Sequence, residues 1–467
     1  MDHIYIYVPE HSIDKRPWNL PEIPSELVNS REFQKFVEQI NNSYFDPVLV
    51  IKHNRLAAGP YVGFVLYKDK TSGKIHQINI YPKIFLGGLS SEDSWKIVLK
   101  IADLYYNLGL REYDIKTALA TEGNSPFIDI LLDIFSNRLL NELRFGIYGE
   151  FVSTEETSSS LRGQLLVERE ILKLPTQKHK FDIRYKKFTV DNFLNRVFKY
   201  TLYLGLQHTN RRETKRTLSE AWDMLKEVSL TPISVDSIEK LTLNSLNLRF
   251  ELPLKLAKII ISGLDYQKGL ISPGFIIPMP DAFEFFVYKL LRAILGKDYR
   301  VRYHPQNREF VLETPRKFIE NPPQPDIIIE SSSGQPLVVV DAKYKTLYCP
   351  KCGEKQRYVK NSSDLYQIYS YTKLYNAHAG VLVYPMLKDY SQGSGYNQYN
   401  QWLCDISSIS TCKNSIFHFF DKTKLGILGI NLAHLIRDSI EVSSGNITKI
   451  NPKIKEQLIS YLNSLIN

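Results

Sequence analysis

Apolar residues along this chain change their period several times, and each change marks an element. The first third opens with short β-branched and aromatic stretches at 4–8, 47–51, 61–68 and 75–81, the last two separated by the polar segment 69–74. Runs of this length and composition, bounded by turn residues, predict strands. Helical spacing follows at 93–108 and 125–145. The middle of the chain, from about 188 to 263, is predicted helical, with Asp191 as the N-cap of a helix through Leu206. Residues 278–291 predict an amphipathic helix with one carboxylate, Glu284, on a mostly apolar surface. A further helix is predicted from Ser363 to Tyr371, with Gln367 and Tyr371 one turn apart on a shared face. From 389 to 401 the chain is rich in Gly, Ser, Asn, Gln and Tyr without period, which predicts a surface loop.

One pattern carries chemistry. Pro325-Asp326 leads into Ile327-Ile328-Ile329-Glu330, then comes Ser331-Ser332-Ser333-Gly334-Gln335, and a second apolar run from Pro336 to Val340 ends in Asp341-Ala342-Lys343. Two β-branched runs around a Ser/Gly segment predict a β-hairpin, and a turn centred on Ser333-Gly334 sets Asp326 opposite Asp341. Opposed residues of an antiparallel pair have Cβ atoms only ~4.5–5.5 Å apart, so both carboxylates would point to one spot. Lys343 shares their face, because residues i and i+2 of a strand do. Two carboxylates that close repel unless one is protonated or a cation lies between them, and an oxygen ligand set suits Mg²⁺ or Mn²⁺. Such an ion with a neighbouring lysine is equipped for phosphodiester hydrolysis. Acid-x-Lys triplets also occur without function, as at Asp114-Ile115-Lys116, but that one lies outside any hairpin. Glu284 is either a further ligand or water-holder for this site or a core salt-bridge partner, since a buried Glu is costly unless paired.

Length and charge fit a nucleic-acid enzyme. At 467 residues the chain is too long for one ordinary domain. Its net charge is +9, with a basic surplus also within 276–467, which suits a polyanionic partner. Arg300, Arg302 and Arg308, interleaved with Tyr299, Tyr303 and His304, are candidate phosphate contacts, or alternatively a solvated strand face. No run of about 18 apolar residues occurs and the N-terminus lacks a secretory pattern, so a cytoplasmic protein without membrane contact is expected. No repeat is evident at periods of tens of residues. No Gly-x-x-x-x-Gly-Lys-Ser/Thr phosphate loop occurs either, so a nucleotide-driven motor would have to be another protein.

In order, the helix Glu284, Pro325-Asp326, Asp341-Ala342-Lys343 and the helix with Gln367 and Tyr371 resemble the PD-(D/E)XK nuclease fold. The combination Ala282-Phe283-Glu284-Phe285-Phe286-Val287, Val340-Asp341-Ala342-Lys343-Tyr344-Lys345 and Asp364-Leu365-Tyr366-Gln367-Ile368-Tyr369-Ser370-Tyr371 is similar to the McrC subunits of modified-cytosine restriction systems. Tyr81-Pro82-Lys83-Ile84, Leu161-Arg162-Gly163 and Asp191-Asn192-Phe193-Leu194-Asn195-Arg196 extend the resemblance upstream. It implies an α+β multidomain protein: an N-terminal β-rich and helical region, 1–175, that docks the partner; a helical connecting region, 176–275; and a PD-(D/E)XK restriction-endonuclease-like α/β domain, 276–467. It implies that Asp326 and Asp341 bind the catalytic Mg²⁺ or Mn²⁺, that Lys343 assists the nucleophile, and that Glu284 and Gln367 complete the site. It also implies a hexameric McrB-like AAA+ partner, which binds the GTP, and double-stranded DNA as substrate. A RecB-like exonuclease and a non-catalytic DNA-binding, GTPase-activating adapter remain alternatives.

Four cysteines all follow residue 348. Cys349-Pro350-Lys351-Cys352-Gly353 has the form of a zinc knuckle, and Cys404 and Cys412 could complete a structural Cys₄ Zn²⁺ site. Free thiols and an iron–sulfur cluster are the other readings. The knuckle would form an insertion between the Asp-x-Lys strand and the Gln367 helix.

Overall fold

The computed structural model describes residues 3–13, 19–82, 91–119, 127–177, 179–264, 274–305, 324–345, 362–386, 409–418, 421–432, 435–443 and 445–466. It is a mixed α+β chain that divides into two compact units, one made of Met1–Pro126 with Ile276–Asn467 and the other of Phe127–Phe275. The first unit is therefore discontinuous, joining both ends of the sequence, whereas a three-part division at 175 and 275 follows the chain linearly. The second of those boundaries coincides with a unit boundary; position 175 lies inside the second unit.

Two sheets organise the first unit. A four-stranded sheet runs in the order His3–Pro9, Ile75–Tyr81, Tyr61–Lys68, Phe275–Pro278. His3–Pro9 pairs parallel to Ile75–Tyr81, with Ile6 beside Ile78. The six-stranded sheet runs Arg300–Tyr303, Ile327–Glu330, Pro336–Ala342, Ala379–Met386, Lys424–Asn431, Ile409–His418. Its middle pairings are parallel and its edges antiparallel. A strand buried on both faces reads as a continuous apolar run rather than an alternating one, and Ile327-Ile328-Ile329 and Val338-Val339-Val340 are all buried. The parallel step from Pro336–Ala342 to Ala379–Met386 needs a crossover, and the helix Ser362–Leu374 lies within it. That helix packs Ile368 and Leu365 onto Ile328, Val339, Leu382 and Leu425. Gly380 permits the close approach, since a Cβ there would lie 2.4 Å from Thr372 Oγ1 and 2.7 Å from Ile368 Cγ1.

The hairpin forms in the expected register. Ile327 pairs with Val340, Ile328 with Val339 and Ile329 with Val338, and the pairing slips only at Glu330, beside the turn. The turn closes with Gly334 N–H donating to Ser331 O at 3.0 Å and Gly334 at φ 86°, a left-handed conformation that glycine adopts without a Cβ penalty.

The second unit packs the helices Phe127–Arg144, Phe193–His208, Arg212–Met224 and Glu251–Leu264 around Phe135, Phe198, Leu218 and Phe250. Its three-stranded antiparallel sheet runs Glu150–Ser158, Phe181–Thr189, Gln164–Leu165. The middle of the chain is thus not helical from 188: Phe188 and Thr189 end a strand. Asp191 is not the N-cap either. Asn192 fills that role, accepting from Asn195 N–H at 3.0 Å. Asp191 instead takes both Arg196 Nε at 2.7 Å and Nη2 at 3.0 Å. Asn195 donates to Tyr148 O and Val190 O, both at 2.7 Å. The Asp191–Arg196 pattern is therefore a lock that fixes how the chain enters this helix. Among the described residues, no helix is long and apolar enough to cross a membrane.

Candidate active site

Residues at the ends of three neighbouring strands form one row. Tyr303 pairs with Ile327, and Ile327 with Val340. One residue further along stand His304, Asp326 and Asp341, and His304 N–H donates to Asp326 O at 2.8 Å. Asp326 is the centre of the row. Its Oδ2 accepts from Ala342 N–H at 2.7 Å, which orients the carboxylate. Burial, the charge of Asp341 and the charge of Glu284 together push its pKa up to about 8, against the weaker help of Ala342 N–H and Lys343. A carboxylate so raised is short of positive charge.

Glu284 reaches the row from the helix Met279–Leu295, whose Phe283 and Phe286 are fully buried. Its side chain is 15% exposed and contacts His304 Nε2. Burial raises its pKa, opposed by His304 and by the Tyr303 hydroxyl. Glu284, His304 and Asp326 each offer a ligand atom, and these atoms all lie within 4.8 Å of one another. That grouping of half-buried, mutually repelling carboxylates with an imidazole fits a divalent cation.

On the other side of Asp326, Asp341 is 1% exposed and its Oδ2 lies 2.7 Å from Lys343 Nζ. Lys343 Nζ also donates to Gln367 Oε1 at 3.0 Å, and Gln367 Nε2 donates to Tyr371 OH at 3.0 Å. Burial works against the Lys343 charge, but Asp341, Asp326 and Asp364 together outweigh it and the lysine pKa is raised. The ammonium is therefore held charged and fixed in direction by two partners. A second tie holds the Gln367 helix: Asp364, 5% exposed, accepts from Lys345 Nζ at 2.9 Å and from Tyr384 OH at 3.2 Å.

All five residues singled out from the sequence, Glu284, Asp326, Asp341, Lys343 and Gln367, thus come together. They do so in two groups, Glu284 with Asp326 and His304, and Asp341 with Lys343 and Gln367. His304 was read only as a neighbour of the arginines. The signal that could have placed it is the pairing of 300–303 with 327–330, which sets His304 opposite Asp326.

Arg300 and Arg302 have a structural partner. Arg302 Nη1 donates to Glu330 Oε1 at 2.8 Å and Arg300 Nε lies 3.8 Å from Oε2, neutralising a carboxylate that is buried. Both also line, with Arg292, Tyr288, Tyr299 and His304, an open cleft of about 670 Å³. Arg308, Cys349, Cys352 and Cys404 lie outside the described residues, and Cys412 falls on the strand Ile409–His418 with its side chain outside them.

The model of a family described as "McrBC 5-methylcytosine restriction system component" matches residues 56–385. Among solved structures, a chain of the refined half-complex from the tetradecameric assembly of Thermococcus gammatolerans McrB AAA+ hexamers with bound McrC is similar to this one, with TM-score 0.68 and 22% identity. The match covers 98% of this chain and 100% of that one. A chain of the cryo-EM structure of the Thermococcus gammatolerans McrBC complex matches with TM-score 0.51 and 22% identity, over 62% of this chain and 88% of that one. At this identity the likeness is one of fold. No curated protein matches.

Proposed function

The chain belongs to the family of McrBC 5-methylcytosine restriction system components, and from that premise we propose that it is the system's DNA endonuclease subunit, a PD-(D/E)XK enzyme that depends on Mg²⁺ or Mn²⁺. The observation that carries the reading is the convergence on Asp326. Two further carboxylates press on it, and a lysine held by Asp341 and Gln367 stands beside them. Asp326 and Glu284 would hold the ion, and Asp341, whose charge presses on Asp326, would complete the acidic cluster. When bound, the ion supplies Lewis-acid polarisation of the phosphate and lowers the pKa of water. Lys343, fixed by its two partners, directs its ammonium at the attacked phosphate and stabilises the charge that develops there. Gln367, itself held by Tyr371, sets the lysine's direction.

The motor is a hexameric AAA+ GTPase resembling the McrB of the similar assembly, and the chain stimulates it. The exposed apolar side chains of Phe151, Leu161, Ile171, Leu172, Leu174 and Phe188 in the second unit support a docking surface for such a partner there. Exposed apolar groupings of this kind mark protein–protein contacts.

The test is cleavage of methylated and unmethylated plasmid by the wild type and Asp341→Ala, each with Mg²⁺, GTP and the AAA+ protein of the same system. Cutting by the wild type alone, and only with partner and GTP, is the expected result. Degradation from free ends without GTP would favour an exonuclease, and equal behaviour of both proteins a non-catalytic adapter.

A further inference from the structure

The proposed reaction assigns His304 no part, yet it stands in the row and touches Glu284. We propose that His304 is a metal ligand and that, with Glu284 and Asp326, it builds a mixed nitrogen–oxygen site that takes Mn²⁺ in preference to Mg²⁺. The inference rests on the metal-dependent nuclease reading and deepens it.

Geometry supports ligation. Atoms bound to one ion at about 2.1 Å lie within about 4.2 Å of each other. The three candidate atoms are already within 4.8 Å, so shifts below an ångström bring them onto one ion. The imidazole is also held in place. His304 takes a left-handed backbone conformation, φ 42°, and its N–H is bonded to Asp326 O. Its ring stacks on Tyr303 at 4.0 Å between centroids, and Tyr303 packs in turn on Phe285 and Tyr288. The burial is graded: the Glu284 side chain is 15% exposed and that of His304 48%, so the histidine side stays open to substrate and water. The basic cleft lined by Arg292, Arg300 and Arg302 adjoins that open side through His304.

Chemistry sets the preference. Mg²⁺ is a hard ion that favours oxygen donors and holds its water, whereas imidazole suits first-row transition metals. Exchanging one oxygen of the donor set for an imidazole nitrogen therefore disfavours Mg²⁺, while Mn²⁺ accepts both donor types.

Binding of Mn²⁺ to the full chain, followed by the loss of the free-ion electron paramagnetic resonance signal with Mg²⁺ as competitor, reads this without activity. The wild type should bind Mn²⁺ at least about tenfold more tightly than Mg²⁺, and His304→Ala should lose about 10- to 100-fold in Mn²⁺ affinity with much less change for Mg²⁺. Asp326→Asn should lose both ions. Pulsed measurements on wild type with Mn²⁺ should show coupling to an imidazole nitrogen, a signature that needs no variant. If His304→Ala keeps the wild-type Mn²⁺/Mg²⁺ ratio and no nitrogen coupling is seen, while Asp326→Asn abolishes binding, the metal site stands and His304 is not in it. If Asp326→Asn also binds both ions as the wild type does, the nuclease reading itself falls, and this inference with it.

Discussion

At the scale of single residues, the chemistry depends on charges that repel in the bare protein. Asp326 holds its proton to about pH 8 in the fold, against an ordinary carboxylate value near 3.8 in the open chain. Between those values the folded state binds more protons than the unfolded one, so the metal-free protein should lose stability as pH rises from about 4 to 8. A divalent cation favours the carboxylate and should flatten the dependence, as should Asp326→Asn. Thermal melting across that range in chelator and in Mn²⁺ checks both statements; a flat wild-type profile in chelator would contradict them. Lys343 gives a separate expectation. Removing a positioned charge that acts on the transition state typically costs about 10²- to 10³-fold, so Lys343→Ala should cut cleavage by that order while metal binding persists. Loss of metal binding along with activity would point to a structural role for the lysine.

At the scale of elements, the hairpin was legible because its information is local. Two β-branched runs and a Ser/Gly turn leave one register that buries both runs, and a slip by one residue would have turned Asp326 and Asp341 to opposite faces. The entry to the helix Phe193–His208 was less legible. Asp191 and Asn192 are both good caps by residue type, and the choice between them was made by Arg196 and Ser229, which hold Asp191 in another role. The strand Phe181–Thr189 was less legible: Phe181, Ile183 and Tyr185 alternate with Asp182, Arg184 and Lys186, but the alternation breaks at Lys187 and only Ile183 is buried. An element-level prediction follows from Gly380. Overpacking a tight contact costs about 1–3 kcal/mol, so Gly380→Ala should lower stability by that order and push the helix Ser362–Leu374 off the sheet. Gln367 rides on that helix, and cleavage should fall further than the loss of folded protein accounts for. Comparing specific activity with a denaturation curve separates the two.

At the scale of the whole molecule, the apolar side chains exposed in the second unit carry the expectation about a partner. Ile171 and Leu172 are 76% and 83% exposed, so replacing both with Asp should leave the melting temperature nearly unchanged. Interface anchors commonly contribute more than about 1–2 kcal/mol each, so the pair should weaken GTPase stimulation by roughly tenfold or more. Unchanged stimulation would move the docking surface elsewhere.

What the amino-acid order determined by itself is the set of local facts: the hairpin and its register, the helix carrying Glu284, the Gln367–Tyr371 face, and the family pattern that these residues spell. Each rests on neighbours within one or two elements, where period and turn chemistry leave a single solution. Only the tertiary structure decided that His304 stands opposite Asp326, that Lys343 is shared between Asp341 and Gln367, and that Arg302 answers a buried Glu330. It also decided that Met1–Pro126 joins Ile276–Asn467 in one unit. Those facts join residues far apart in sequence, and packing and charge compensation in three dimensions choose among pairings that hydrophobic period alone leaves equivalent.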